Sequence, residues 1–154
     1  MSRQLLIVYH SQSGSTARMA EAVIDGARDD AIDGVDVVVR DALEATAEDL
    51  QSADAFILGT PENFGYMSGA MKTFLDRVFY PCEGKVEGKP YALFIRAGND
   101  GTGAITSLHR ILTGLSVREI QEPLLMAGEF DESRLPECRE LGMTLAAGLE
   151  AGIY

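Results

Sequence analysis

YHSQSGSTARMA, residues 9–20, follows directly on the apolar run Leu5-Leu6-Ile7-Val8. A short apolar run without alternation reads as a strand covered on both faces. Behind it come small residues (Ser11, Ser13, Gly14, Ser15 and Thr16), then a helical pattern with Met19, Ala20, Val23, Ile24 and Ala27 on one face. Strand, glycine-bearing loop and helix in that order gather backbone N–H groups at a helix N-terminus. Free N–H groups and the helix dipole favour an anion there. The loop, with Gln12 at its centre, therefore reads either as a plain capping turn or as a cradle for a phosphate. It carries one glycine and no lysine or arginine. It is neither a Walker A loop nor the three-glycine dinucleotide fingerprint, and it suits a monophosphate held by neutral donors.

The same alternation continues outward. Residues 35–39 are β-branched and read as a second strand, and 47–53 as a short helix with Thr46 as N-cap. Residues 55–59 form a third strand ending at Thr60-Pro61, and 68–80 a helix stopped by Pro81. A fourth strand is expected over 91–96, followed by the loop 97–103 and a helix to about Leu112. A brief strand near 117–120 and a closing helix over 133–148, with Pro136 in its first turn, complete the chain. Strands alternating with helices predict an α/β fold, a parallel sheet with helices on both faces, as a single domain over residues 1–154. Ligands in such sheets bind beyond the carboxyl ends of the strands. Three loops leave by that edge: 9–16, 59–68 and 97–103.

Composition narrows the partners. The 154 residues are 46% hydrophobic and hold 24 acidic against 13 basic side chains, a formal net charge of -11. An acidic surface repels phosphate backbones, so nucleic acid is not expected; it suits a basic redox partner protein, and also simple solubility. No segment is long and apolar enough for membrane insertion, and the N-terminus has no signal-peptide pattern. Cys82 and Cys138 are far apart and in no CxxC pattern, which points to a reducing cytoplasm. His10 and His109 are the only histidines, too few for a histidine-based metal site, and no metal is expected. His109 is expected on a helix surface, and His10 beside the loop, either packed or donating to a phosphate. The run Asp25, Asp29, Asp30, Asp33, Asp36 reads as a solvated helix end, and Glu83, Lys85, Glu87, Lys89 as a surface turn.

The second loop adds a specific pattern. GTPENFGYMSGAMKTFLDR, residues 59–77, contains Gly59-Thr60-Pro61, Phe64-Gly65, Met67-Ser68-Gly69 and Phe74-Leu75-Asp76 in order. It resembles the flavodoxin-like family, in particular the NAD(P)H:quinone oxidoreductases first described as tryptophan-repressor-binding proteins. Ser11-Gln12-Ser13-Gly14-Ser15-Thr16 matches the flavodoxin-type loop of the first strand. The resemblance implies a three-layer sandwich with a five-stranded parallel sheet of order 2-1-3-4-5, and FMN as cofactor. It implies that residues 11–16 hold the FMN phosphate and that Thr60, Pro61, Glu62, Asn63, Phe64, Gly65 and Tyr66 wrap the flavin ring. Ala97, Gly98, Asn99 and Gly101 would meet its pyrimidine end. No side chain need be catalytic, because FMN carries the chemistry, with NAD(P)H as electron donor and a quinone or other small molecule as acceptor. The departures are Asn63 where the reductases place a basic residue, no histidine in the third loop, and a length nearer that of short flavodoxins. The ring clamp thus resembles that of an oxidoreductase, whose family members are longer and use an inserted segment to build homo-oligomers, an assembly open to this chain as well; the size and charge resemble the alternative, a flavodoxin-type electron carrier with no small-molecule substrate.

Overall fold

The computed structural model describes residues 2–154. The chain runs β1 (Arg3–Tyr9), α1 (Ser15–Ala27), β2 (Val35–Asp41), α2 (Ala47–Ser52), β3 (Ala55–Asn63) and β4 (Tyr66–Met67). It continues through α3 (Gly69–Cys82), β5 (Pro90–Ala97), α4 (Thr102–Gly114), β6 (Arg118–Glu119), β7 (Leu124–Ala127) and α5 (Leu135–Ala151), the last entered by a 3-10 turn over Glu132–Arg134. The sheet order is β2-β1-β3-β5-β6, with all four pairings parallel. That is the 2-1-3-4-5 order of a flavodoxin-like three-layer α/β fold, once the β4 hairpin is set aside and β6 and β7 are counted as one position.

Two apolar layers hold the helices to the sheet. On one face Leu6, Val8, Phe56, Leu58, Leu93 and Ile95 pack with α2, α3 and α4. On the other, Leu5, Ile7, Ile57, Ala92 and Phe94 pack with α1 and α5. The central strands β1, β3 and β5 are therefore apolar on successive residues because both faces are covered. Each large side chain fully buried here contributes roughly 1.5–3 kcal/mol.

The structure departs from the sequence reading at four places. β3 does not stop at Gly59 but runs to Asn63. Its ladder with β1 ends at Tyr9↔Gly59, while pairing with β5 continues to Pro61↔Arg96. Pro61 thus sits where one flank is already free, and its missing N–H interrupts no bond to β1. Pro81 lies inside α3 instead of stopping it, in the last turn, where Glu83 N–H still reaches the Phe79 carbonyl and buried Cys82 anchors the end. The fifth strand position is split: β6 pairs the start of β5 and β7 its end, from Phe94↔Leu124 to Ala97↔Ala127. The four-residue run of β7, after Pro123, is too short to stand out from pattern alone. Finally, Lys89 is no surface-turn residue. Its ammonium donates to the carbonyls of Leu50, Gln51 and Ala53 at 3.1, 2.6 and 2.6 Å, serving the C-terminal end of α2. Burial pushes its pKa down.

Candidate functional site

The phosphate-type loop is shaped by its own first serine. Ser11 Oγ accepts from the N–H groups of Gly14 and Ala17, both at 3.1 Å. Gly14 stands at the N-cap of α1 with φ 100°, a left-handed conformation that favours glycine, and provides no side-chain cap. The first backbone bond of the helix runs from Arg18 N–H to the Gly14 carbonyl. Among the described bonds none takes up the N–H groups of Ser15 and Thr16. A plain capping turn would have satisfied them. Ser13 and Gln12 are exposed, Ser15 partly buried and Thr16 buried.

The second loop is a tight hairpin. Phe64 (φ 54°) and Gly65 (φ 69°) are the two residues between β3 and β4, both left-handed, as a two-residue hairpin turn requires. Phenylalanine is costly in that region, and its ring here is wholly exposed. Strain and an exposed aromatic at one position are the marks of a residue kept for contact with something else. Tyr66 is also partly exposed. Thr60 takes another part: buried, its hydroxyl donates to the Pro61 carbonyl and accepts from Ser68 N–H, bracing the hairpin root.

The third loop is tied to the second by Glu62. Its carboxylate accepts from Gly101 N–H at 3.3 Å and Ala104 N–H at 3.2 Å, supplying the N-terminus of α4 with a cap from a distant strand. Asp100 adds a second one, accepting from Thr102 N–H and hydroxyl, bonds that hold its carboxyl below the usual range. Gly103 permits the contact between α4 and the hairpin, because a Cβ there would lie 1.8 Å from the Gly65 carbonyl oxygen. Ala97 is buried, and Gly98 and Asn99 are exposed beyond the strand end.

These elements meet in one cleft of about 290 Å³, lined by Gln12, Ser13, Ser15, Thr16, Pro61, Glu62, Asn63, Arg96 and Gly98. All three loops contribute, and Asn63 Nδ2 donates to Gln12 Oε1 at 2.9 Å across it. Gly65 and Tyr66 line an adjoining groove of about 370 Å³ with Thr102, Gly103, Thr106, Ser107, Arg110 and Ile111. Ser11 and Gly14 shape the first loop from behind; Thr60, Ala97, Asn99 and Gly101 do not line the cleft either. Arg96 is the member that sequence reasoning missed: it lay inside an expected strand, and no local pattern marks its direction.

The remaining candidates settle outside the cleft. His109 lies on α4, 2.8 Å from a Glu119 carboxylate oxygen. His10 carries a buried Nδ1 with no partner among the described residues. Burial pushes the Cys138 thiol up to about 11 and raises that of Cys82, so neither is a ready nucleophile. Asp25 and Asp29 are not merely solvated: each receives a 2.7 Å bond from Arg139, joining α1 to α5. Among the described residues no acidic, histidine or cysteine cluster could hold a metal, and no helix is long and apolar enough to cross a membrane.

Residues 18–132 match the model of the family described as NADPH-dependent FMN reductase. The chain belongs to that family. The matched span holds the second and third loops and begins just after the first. Similar proteins include a flavodoxin of Aquifex aeolicus (strain VF5), 37% identical over 159 residues, 93% of this chain and 85% of that protein. An NAD(P)H dehydrogenase (quinone) of Geobacter sulfurreducens is 33% identical over 172 residues, 94% of this chain and 84% of that one. Among solved structures, a flavodoxin from the domain Archaea superposes with a TM-score of 0.78 at 25% identity, covering 95% of this chain and 98% of that one. A WrbA-like flavodoxin from Agrobacterium tumefaciens gives 0.77 at 23% identity, covering 97% and 99%, a likeness of fold.

Proposed function

We propose that this protein is an FMN-dependent NAD(P)H oxidoreductase that passes electrons to a quinone or another small acceptor, acting in the cytoplasm as one domain over its 154 residues. The observation that carries the reading is the single cleft walled by all three loops, with uncapped helix N–H groups at one end and the strained Phe64-Gly65 turn beside the other. A mononucleotide flavin matches that layout, phosphate on the N–H groups and ring beside the hairpin. Arg96, a cleft-lining guanidinium that no carboxylate pairs with among the described residues, supports an anionic ligand there. Bound there, FMN would supply the hydride-accepting and electron-passing chemistry. The chain's own part is to anchor the phosphate, hold the ring edge with Pro61, Asn63 and the hairpin backbone, and exclude water from one flank.

The adjoining groove favours an enzyme over a carrier. Thr102, Thr106 and Arg110 stand at i, i+4 and i+8 along one face of α4, next to Tyr66. Two hydroxyls and a guanidinium in line suit the diphosphate of a nicotinamide dinucleotide, whose ring must lie flat on the flavin. A dedicated electron carrier is the second reading, favoured by the acidic surface and by the Aquifex flavodoxin relative. Steady-state oxidation of NADPH and NADH by the FMN-loaded protein with a soluble benzoquinone acceptor separates them. Saturable turnover supports the enzyme; no turnover with either nucleotide, in protein shown to hold FMN, supports the carrier.

A further inference from the structure

We infer that Arg96 is the cation of the phosphate site, meeting the FMN phosphate through the free arm of its guanidinium from a strand two positions away from the loop. The inference rests on the FMN reading above and adds a charge that the loop itself lacks, since residues 9–16 contain no lysine or arginine.

Arg96 lies near the end of β5, on the same sheet face as Ala92 and Phe94 by strand alternation, which is the face covered by α1 and α5. It lines the cleft together with Ser13, Ser15 and Thr16. Phe130 fixes its position relative to α1: that ring lies 4.6 Å from the Arg18 guanidinium carbon and 5.8 Å from that of Arg96. Arg18, one turn into α1, is itself taken by Glu132 at 2.7 Å. Arg96 is not. Its Nη1 donates to the carbonyls of Ala97 and Met126, which holds the fork in place. Its Nη2 donates to nothing and no carboxylate pairs with the guanidinium among the described residues, so one arm is left for the cleft that Arg96 lines. Glu62, the carboxylate nearest in the cleft lining, is spent on α4.

In a chain with 24 carboxylates, a partly buried guanidinium that avoids all of them while facing hydroxyls and free N–H groups is set for an anion. A phosphate oxygen on the free guanidinium arm makes a charge-assisted hydrogen bond, roughly twice as strong as a neutral one. The neutral loop then supplies shape, and Arg96 supplies charge.

Binding of FMN and of riboflavin, which lacks the phosphate, is the test. Losing a hydrogen bond to a charged group costs about tenfold to a hundredfold in affinity. Arg96→Gln is expected to weaken FMN by about that factor and leave riboflavin unchanged, while Arg96→Lys, keeping the charge without the fork, falls between. Equal losses for both flavins, or an unchanged FMN affinity, would overturn the inference. The wild type provides a readout that needs no variant: the Arg96 guanidinium N–H nuclear resonance should move on adding FMN and stay put with riboflavin. A resonance indifferent to FMN, or moved equally by both, rejects it even if the variants fail to fold. A wild type that binds neither flavin rejects the functional reading itself, whereas normal FMN binding with an indifferent Arg96 rejects this inference alone.

Discussion

At the end of the cleft proposed to hold the phosphate, the bonds that set the loop backbone are local: Ser11 reaches Gly14 and Ala17, three and six residues away. At the ring end they span the fold, with Glu62 reaching 39 and 42 residues on to Gly101 and Ala104, and Asn63 reaching back 51 to Gln12. One end is thus built on a turn that its own sequence specifies, to which the sheet adds Arg96. The other is an assembly of a strained hairpin, a capped helix and a cross-loop amide pair, held only once the sheet has formed. Damage should accordingly differ in kind. On the proposed reading, a change at the first end should alter how the phosphate is held, and a change at the second how the whole flavin is held.

Gly14→Val breaks the first end. At φ 100° a branched side chain is strained whatever space surrounds it, and nothing lies within 4 Å of a Cβ there. Relief of roughly 1–3 kcal/mol of strain by a loop that leaves its FMN-binding shape corresponds to about fivefold to 150-fold in affinity. FMN binding should fall by the upper part of that range while riboflavin binding is spared. Fluorescence titration of both flavins reads the ratio, and a common loss would erase the distinction between the two ends.

A smaller and differently shaped effect is expected from Gly103→Ala. Its Cβ meets the Gly65 carbonyl, so the Phe64-Gly65 turn or the start of α4 must move. Overpacking of this kind costs typically about 1–3 kcal/mol, part of it in stability. FMN and riboflavin should both weaken, by about tenfold, because the ring end does not involve the phosphate. If FMN alone weakened, the hairpin would belong to the phosphate site.

This division also marks what the sequence could convey. The parallel sheet and the first loop are legible because apolar runs and short-range turn chemistry are local signals, whereas the strand order is legible only through the family resemblance. The Phe64-Gly65 segment is legible as a flavin loop only through the Phe-Gly and Met-Ser-Gly resemblance, and its hairpin form carries no signal of its own. Glu62 as the cap of α4, Gly103 as the seat of the hairpin and Arg96 as a cleft residue carry no local signal. Each depends on which strand end faces which helix. Lys89 and Arg139 went unseen for the same reason, their partners lying 36 or more residues away in sequence.

The weakest predicted effect lies far from the cleft, in the Arg139 bridge between α1 and α5. The hydrogen bond from Arg139, then that from Ala31 N–H, holds the Asp29 carboxyl below its ordinary value of 3.8. Folded Asp29 therefore stays ionised where the unfolded chain takes up a proton. The stability this adds is complete above the ordinary value and is lost as pH falls through the lower, folded one. Arg139→Gln should flatten the acid side of the stability profile, below about pH 5, without affecting flavin binding. Thermal melts at a series of pH values would show it; identical acid-side slopes would remove Asp29 from the account. Asp100, Asp131 and Glu137, also held low, keep the remaining acid dependence in both proteins.

The central claim is that the cleft admits a nicotinamide donor to a bound flavin. Mixing the FMN-loaded protein anaerobically with excess NADPH, then with NADH, tests it most directly, read by the visible absorbance of the flavin. The account predicts that at least one nucleotide bleaches that absorbance, and that Arg110→Ala raises the nucleotide concentration needed while leaving FMN affinity intact. Flavin that dithionite bleaches but neither nucleotide does would contradict it and leave the electron carrier.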